Sequence, residues 1–242
     1  MDKKNYKLMH SLQDDHWWFV ARKKIIQSIL NVHLKPDRNK NILEIGCGSG
    51  GLLKLLSKYG NLSAIELDDF SRKKASEKKV CKVIKGKLPN NISNKTCYET
   101  IFLFDVLEHI EEDTNSIKKI NELLSEHGLF ILTVPAYMFL WSHHDKTSHH
   151  KRRYSMSELT ILLDSCGFNI KYSSYFNMIL LPLIVIVRLL NKLLGNQDDD
   201  LKKEKKIINH ILKFFFSLES MFLPKFSFPF GVSIFIICQK KQ

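Results

Sequence analysis

The chain has 242 residues, 44% of them hydrophobic and 26% charged, and its 37 Lys and Arg outnumber 25 Asp and Glu for a net charge of +12. These values exclude a disordered chain, a collagen-like fibre and a coiled coil, and they allow one substantial core with room for a subdomain. The positive balance suits phosphates, anionic lipid surfaces or nucleic acid, without choosing among them.

In chain order, the first forty residues read as a helical cap. Ile25, Ile26, Ile29 and Leu30 form its apolar stripe, and Pro36-Asp37 ends it. Strands and helices then alternate. Strands are predicted over 41–45, 62–66, 80–84, 100–104 and 129–134, and helices over 51–59, 71–79 and 113–125. A helix over 157–165 follows, with Ser157 as its N-cap and Gly167 just past its end. Residues 168–172 and 232–238 are the last two strands. Alternation with nearly continuous apolar strands predicts an α/β fold with a parallel sheet covered on both faces.

The domain reading is a cap over 1–40, an α/β core over 41–172, an apolar helical insertion over 173–231 and a returning core strand over 232–242. In the insertion, Ile207, Ile211, Phe214, Phe215, Leu218 and Phe222 share one helical face, opposite Asn209, Lys213, Ser217 and Ser220. The charged run Asp198–Lys206 joins its two halves. The most apolar run, 178–190, is shorter than the roughly 20 residues that span a bilayer, and Pro182 and Arg188 interrupt it. Its apolar faces have three readings: core or homodimer interface, docking on the inner membrane face with Lys202, Lys203, Lys205 and Lys206, or a wall around an apolar acceptor.

Five scattered cysteines without a Cys-x-x-Cys pair fit a reducing cytosol, and the N-terminus shows no secretory h-region. The expected location is cytoplasmic, peripheral on the inner membrane face if the insertion docks there.

Residues 42–51, ILEIGCGSGG, are the most informative stretch. A strand feeds a glycine turn that opens a helix, so the backbone can approach a ligand and the helix amides can meet an anionic group. Gly46, Gly48 and Gly51 satisfy G-x-G-x-x-G, and Glu66 closes the next strand about twenty residues on, where a carboxylate takes ribose hydroxyls. With Glu44 inside the strand, this loop resembles the first motif of class I S-adenosylmethionine (SAM)-dependent methyltransferases. Phe104-Asp105-Val106-Leu107-Glu108-His109-Ile110 is similar to the segment after the fourth strand in their ubiquinone-biosynthesis-like branch. His16-Trp17-Trp18-Phe19, Arg22, Val134-Pro135-Ala136-Tyr137 and His150-Lys151-Arg152-Arg153-Tyr154 are similar to one bacterial subgroup, so the resemblance covers residues 14–172.

The resemblance implies a Rossmann-like seven-stranded sheet and SAM as cofactor, leaving S-adenosylhomocysteine (SAH) as product. It places Glu44, Gly46, Cys47, Gly48 and Gly50 against the methionine part, Glu66 on the ribose, Leu67 on adenine and Asp105 near the sulfonium. The family often has Asp where Gly86-Lys87-Leu88 stands, so adenine is expected to rest on backbone and apolar surface at Lys87 and Leu88. Arg22 is expected to pair with the cofactor carboxylate, and Trp18 and Tyr137 to line the acceptor site.

A hydroxyl nucleophile needs a base near the working pH, and histidine suits that. In 141–154, WSHHDKTSHHKRRY, His150 is the expected base and Asp145 its orienting partner, against the plainer reading that both brace a lid. Arg152 and Arg153 are read as a clamp for a phosphate or carboxylate, against a solvated helix entry. A metal on His144, Asp145 and His149 matches no zinc spacing, and none is expected. The leading function is methylation, most simply on oxygen, of a small or lipid-linked metabolite such as a glycan intermediate or quinone precursor. Alternatives are a nucleic-acid methyltransferase and a non-catalytic membrane-associated subunit with a degenerate methyltransferase fold. No nucleic-acid partner is expected, since the lysines are spread along the chain and no RNA-binding module stands out.

Overall fold

The computed structural model describes residues 3–92, 96–194 and 204–242. Two helices, α1 (Lys3–Leu12) and α2 (Trp17–His33), lead into β1 (Asn41–Ile45), α3 (Leu53–Leu56), β2 (Asn61–Ile65), α4 (Asp69–Glu77) and β3 (Lys82–Ile84). Next come β4 (Tyr98–Phe104), α5 (Asp113–Leu123), β5 (Leu124–Pro135), α6 (His143–Thr147), α7 (Met156–Ser165) and β6 (Phe168–Phe176). The chain ends with α8 (Leu181–Leu194), α9 (Lys206–Phe222) and β7 (Ser233–Lys240).

The seven strands lie in the order β3-β2-β1-β4-β5-β7-β6. Ile42, Leu43 and Glu44 of β1 pair in parallel with Thr100, Ile101 and Phe102 of β4. The order reverses between these two neighbours, so a crevice opens at their carboxyl ends, where open α/β sheets bind ligands. Buried side chains pack on both faces, Ile42 and Phe102 on one and Leu43 and Ile101 on the other. That explains why β1 and β4 read as unbroken apolar runs.

The all-parallel expectation fails at one strand: β7 pairs antiparallel with both β5 and β6. Strand β6 reaches the carboxyl edge, and the segment that follows feeds β7 from that same edge. Because β6 extends to Phe176, the insertion begins later than residue 173. The charged run 198–203, with Lys202 and Lys203, lies outside the described residues.

Local caps also differ from expectation. The helix predicted over 51–59 is only Leu53–Leu56, flanked by turns. The N-cap of α7 is Ser155 rather than Ser157: its hydroxyl accepts from the Glu158 amide at 3.2 Å, and the Glu158 carboxylate accepts from the Ser155 amide at 2.8 Å. That reciprocal pair satisfies two amide donors that would otherwise lack intrahelical partners.

The orientation of α9 separates the readings of its apolar face. Its buried residues are Asn209, Phe216, Glu219 and Ser220, while Ile207, Ile211, Phe214, Phe215 and Phe222 face outward. Asn209 accepts from the Trp17 amide at 2.7 Å and donates to the Asp15 carbonyl at 3.0 Å. Glu219 accepts from the amides of Asn177 and Ile179 at 2.6 and 2.9 Å. Polar anchors therefore turn the apolar stripe away from this chain's core.

Candidate functional site

The glycine turn after β1 is built by backbone constraints. Gly46, Gly48 and Gly50 have φ of +76°, +54° and +80°, in the region that side chains disfavour. A Cβ on Gly46 would come within 2.4 Å of Val106, so the loop and the end of β4 touch backbone to side chain. At Gly48 nothing lies within 4 Å of that position, which leaves open space on the cleft wall. The Gly46 and Cys47 amides donate to the Ile65 carbonyl at 2.8 and 3.2 Å, fixing the turn against β2.

Glu66 follows β2 and is buried. Its carboxylate accepts from the Gly48 amide at 2.7 Å and the Asp68 amide at 2.8 Å, so it spans the turn and the start of α4. Burial raises its pKa, and the Asp68 and Gly48 hydrogen bonds work against that rise. A carboxylate has further lone pairs, which remain for hydroxyl donors in the cleft. Glu66, Leu67, Lys87 and Leu88 line one end of a cleft of about 640 Å³, and Glu44, Gly46, Arg22 and Asp105 line its other part. That volume is within the usual range for a small-molecule site.

Glu44 lies beneath this cleft, and its Oε2 is buried with no hydrogen-bond partner. Burial pushes its pKa up to about 8 against the pull of Arg22. An orphaned acceptor in that wall fits a ligand ammonium. The acidic acceptors, glycine cradle and apolar end together suit SAM, whose nucleoside carries hydroxyls and whose amino-acid end carries a cation.

Arg22 is not left waiting for a carboxylate. Its Nη2 lies 2.7 Å from Asp105 Oδ2 and donates to Thr133 Oγ1 at 3.1 Å, and Thr133 Oγ1 donates to Asp105 Oδ1 at 2.8 Å. Arg22 also packs over the Phe104 ring. These bonds engage Nη2, while Arg22 Nε is buried without a partner at the cleft where the cofactor carboxylate was expected. Asp105 itself has φ +55°, a strained value that aims it at the point where β1 and β4 diverge.

A second cavity, of about 400 Å³, shares Asp105 and His109 with the first. Its walls include Trp17, Trp18, His150 and Arg153, with Leu183, Ile184, Val187 and Leu212 from α8 and α9. Trp18 stacks on Phe216 and Phe176. His150 Nδ1 lies 2.8 Å from Asp145 Oδ1. Asp145 is fully buried, and Arg153 donates to both of its oxygens, at 2.8 and 2.9 Å. Burial alone would raise the Asp145 pKa, but hydrogen bonds from His150 and Arg153 hold it well below the usual range.

Two sequence expectations are corrected here. Arg152 pairs with Asp113 and donates to the Glu111 carbonyl, and Arg153 is committed to Asp145 and the Ala136 carbonyl, so the two do not form an anion clamp. Tyr137 stacks on Tyr175 and Phe139 and lines neither cavity described above. Asp145 is engaged by Arg153 and His150, so the His144, Asp145 and His149 combination set aside in the sequence has its carboxylate already partnered. Separately, Glu108, His109 and His150 bring donor atoms within 4.8 Å of one another, a set with the chemistry to hold a divalent ion.

Two further residues were missed. Glu108 is buried with Oε2 unpartnered, and burial followed by the Asp105 charge raises its pKa. Asn177, at φ +58°, is fully buried on the second cavity with neither amide atom partnered. Glu108 sat inside a motif already read for its neighbour Asp105. Asn177 is a lone Asn at a strand end and gave no signal.

A family model described as a methyltransferase domain matches residues 17–172. The ubiquinone biosynthesis O-methyltransferase of Pelagibacter ubique (strain HTCC1062) is 27% identical over 118 residues, covering 43% of this chain and 48% of that protein. The match thus spans about half the length of that curated relative. Among solved structures, a chain from the Haloferax volcanii complex containing the Trm112 methyltransferase activator superposes with TM-score 0.63 at 12% identity, over 99% of this chain and 95% of that one. An S-adenosylmethionine-dependent methyltransferase from Mesorhizobium loti gives TM-score 0.58 at 12% identity, over 87% and 95%. These structural likenesses establish the fold. The chain belongs to the methyltransferase-domain family, of the class I SAM-dependent type.

Proposed function

We propose that this family member methylates a hydroxyl oxygen of a small or lipid-linked acceptor held in the second cavity, with SAM in the first. The observation that carries the reading is the Asp145–His150 pair, which borders a cavity that meets the cofactor cleft at Asp105 and His109.

SAM supplies a methyl carbon on a sulfonium, already activated for in-line attack, with the electron pair leaving to sulfur. The protein's share is to align the partners and remove a proton. Glu66 would hold the ribose hydroxyls, Glu44 the ammonium, and Leu67 and Leu88 the adenine, since all four line the first cleft. His150 gives its Nδ1 proton to the Asp145 hydrogen bond, which leaves Nε2 as the basic nitrogen. Asp145 stays ionised and stabilises the imidazolium that forms when Nε2 takes the hydroxyl proton. His109, whose pKa burial and then His150 push down to about 3, stays neutral beside it.

The acceptor class follows from the walls. The Asn177 side chain offers an unpartnered donor and acceptor, Glu108 an unpartnered buried oxygen, and both arginines of the 152–153 pair are engaged. That favours an uncharged hydroxylated head over a phosphate. The apolar side chains of α8 and α9 suit its hydrocarbon part. An apolar wall weighs against a nucleic-acid acceptor. The test is calorimetry with SAH, followed by transfer of labelled methyl from SAM to alkyl phenols and alkyl glycosides. Uptake of SAH and label on ether oxygen are expected; no SAH uptake by folded protein would sink the reading.

A further inference from the structure

We propose that the outward face of α8 and α9 docks on a bilayer carrying anionic headgroups. The face is apolar over both helices: Leu193 is 81% exposed, Ile207 76% and Phe214 61%, with Leu189, Leu190 and Ile211 about half exposed. Monomeric domains rarely expose a continuous apolar surface of this kind without a partner.

The exposure is fixed by structure. Turning α9 to bury the stripe would break the bonds of Asn209 to Trp17 and Asp15 and those of Glu219 to Asn177 and Ile179. No described helix is long and apolar enough to cross a membrane. An amphipathic pair with outward Leu, Ile and Phe is built to lie in the interface plane.

Charge selects the occupant. Among the described residues of the two helices, the exposed Lys and acidic side chains are Lys192 and Lys206 alone, and exposed Lys205 and Lys225 flank α9. Glu219, the one acid within these helices, points inward. A second copy of this chain would add a face of the same sign, with no exposed acid among the described residues of these helices to pair the lysines. An anionic surface meets them with opposite sign. Leu183, Ile184, Val187 and Leu212 of the same helices wall the second cavity, so a lipid-borne acceptor can pass from the bilayer to His150. That last step rests on the function proposed above; the docking itself does not.

The test is co-sedimentation of the full chain with phosphatidylcholine vesicles, alone and containing about one third phosphatidylglycerol. Binding at least tenfold stronger to the anionic vesicles, and weakened by salt, is expected. Ile211→Asp with Phe214→Asp should abolish it while SAH affinity stays unchanged, showing that the fold survives. Lys205→Glu with Lys206→Glu should remove the preference for anionic lipid. Equal binding to both vesicle types overturns the proposal, as does no binding, or a dimer in solution that the Ile211 and Phe214 changes dissociate. If the wild-type chain binds vesicles but not SAH, docking stands and the methyl-transfer reading falls.

Discussion

Asp145 holds His150 by one oxygen at 2.8 Å while Arg153 grips both oxygens of the same carboxylate. The imidazole is therefore oriented by a buried, permanently ionised group. Replacing His150 by Gln should lower kcat by about 10²–10⁴-fold, the usual worth of a positioned base, and leave SAH affinity unchanged. Asp145→Leu should do the same and also cost about 3–5 kcal/mol of stability, because Arg153 would be buried without its partner. Single-turnover kinetics and urea unfolding check the two parts. An unchanged rate in the His150 variant would remove it from the mechanism.

Glu66 joins the glycine turn to α4 through the Gly48 and Asp68 amides. Glu66→Ala should weaken SAH binding by about 1–3 kcal/mol, roughly 5- to 150-fold. Glu66→Gln, which keeps the shape and one acceptor, should lose less. Isothermal calorimetry at one pH and salt concentration decides it.

Glu44 carries a pH signature. Its pKa is about 8 in the fold against an ordinary 4.5, so between these values the folded chain binds more protons than the unfolded one. Its contribution to stability is complete at acid pH and is lost as pH rises through about 8. Glu44→Gln should flatten that decline, seen as a smaller drop in the denaturation midpoint from pH 6 to pH 9. If the cofactor ammonium meets this carboxyl, SAH binding near pH 7 should release a proton, measurable in buffers of different ionisation enthalpy.

Asn209 stitches α9 to the start of α2 through Trp17 and Asp15. Asn209→Ala leaves the Trp17 amide and the Asp15 carbonyl unpartnered and should cost about 1–2 kcal/mol. The same change should loosen the Trp17–Phe216 contact, shifting tryptophan emission to the red.

What the sequence made legible follows a physical pattern. The β1 strand, its glycine turn and Glu66 were readable because backbone conformations with positive φ and a strand-end acid leave residue-type marks within about twenty positions. The His150–Asp145 pairing was also readable, since five residues separate them on one loop. The direction of the α9 stripe was not: periodicity defines which residues share a face, but not what that face meets, and Asn209 and Glu219 decided it through bonds spanning 192 and 42 residues. The Arg152–Arg153 pair looked like a free clamp because Asp113, which binds one of them, lies 39 residues upstream. The antiparallel turn of β7 was hidden because strand direction depends on where the preceding helices end, and apolar pattern carries no arrow.

That reversed strand has an architectural outcome. The excursion between β6 and β7 leaves and rejoins the scaffold on one rim, the same edge at which β1 enters its glycine turn, and it walls the second cavity. Asn209 and Phe216 lock that excursion onto α2, the helix that also carries Arg22 into the first cleft, so any resizing of its helices is transmitted to the nucleoside pocket.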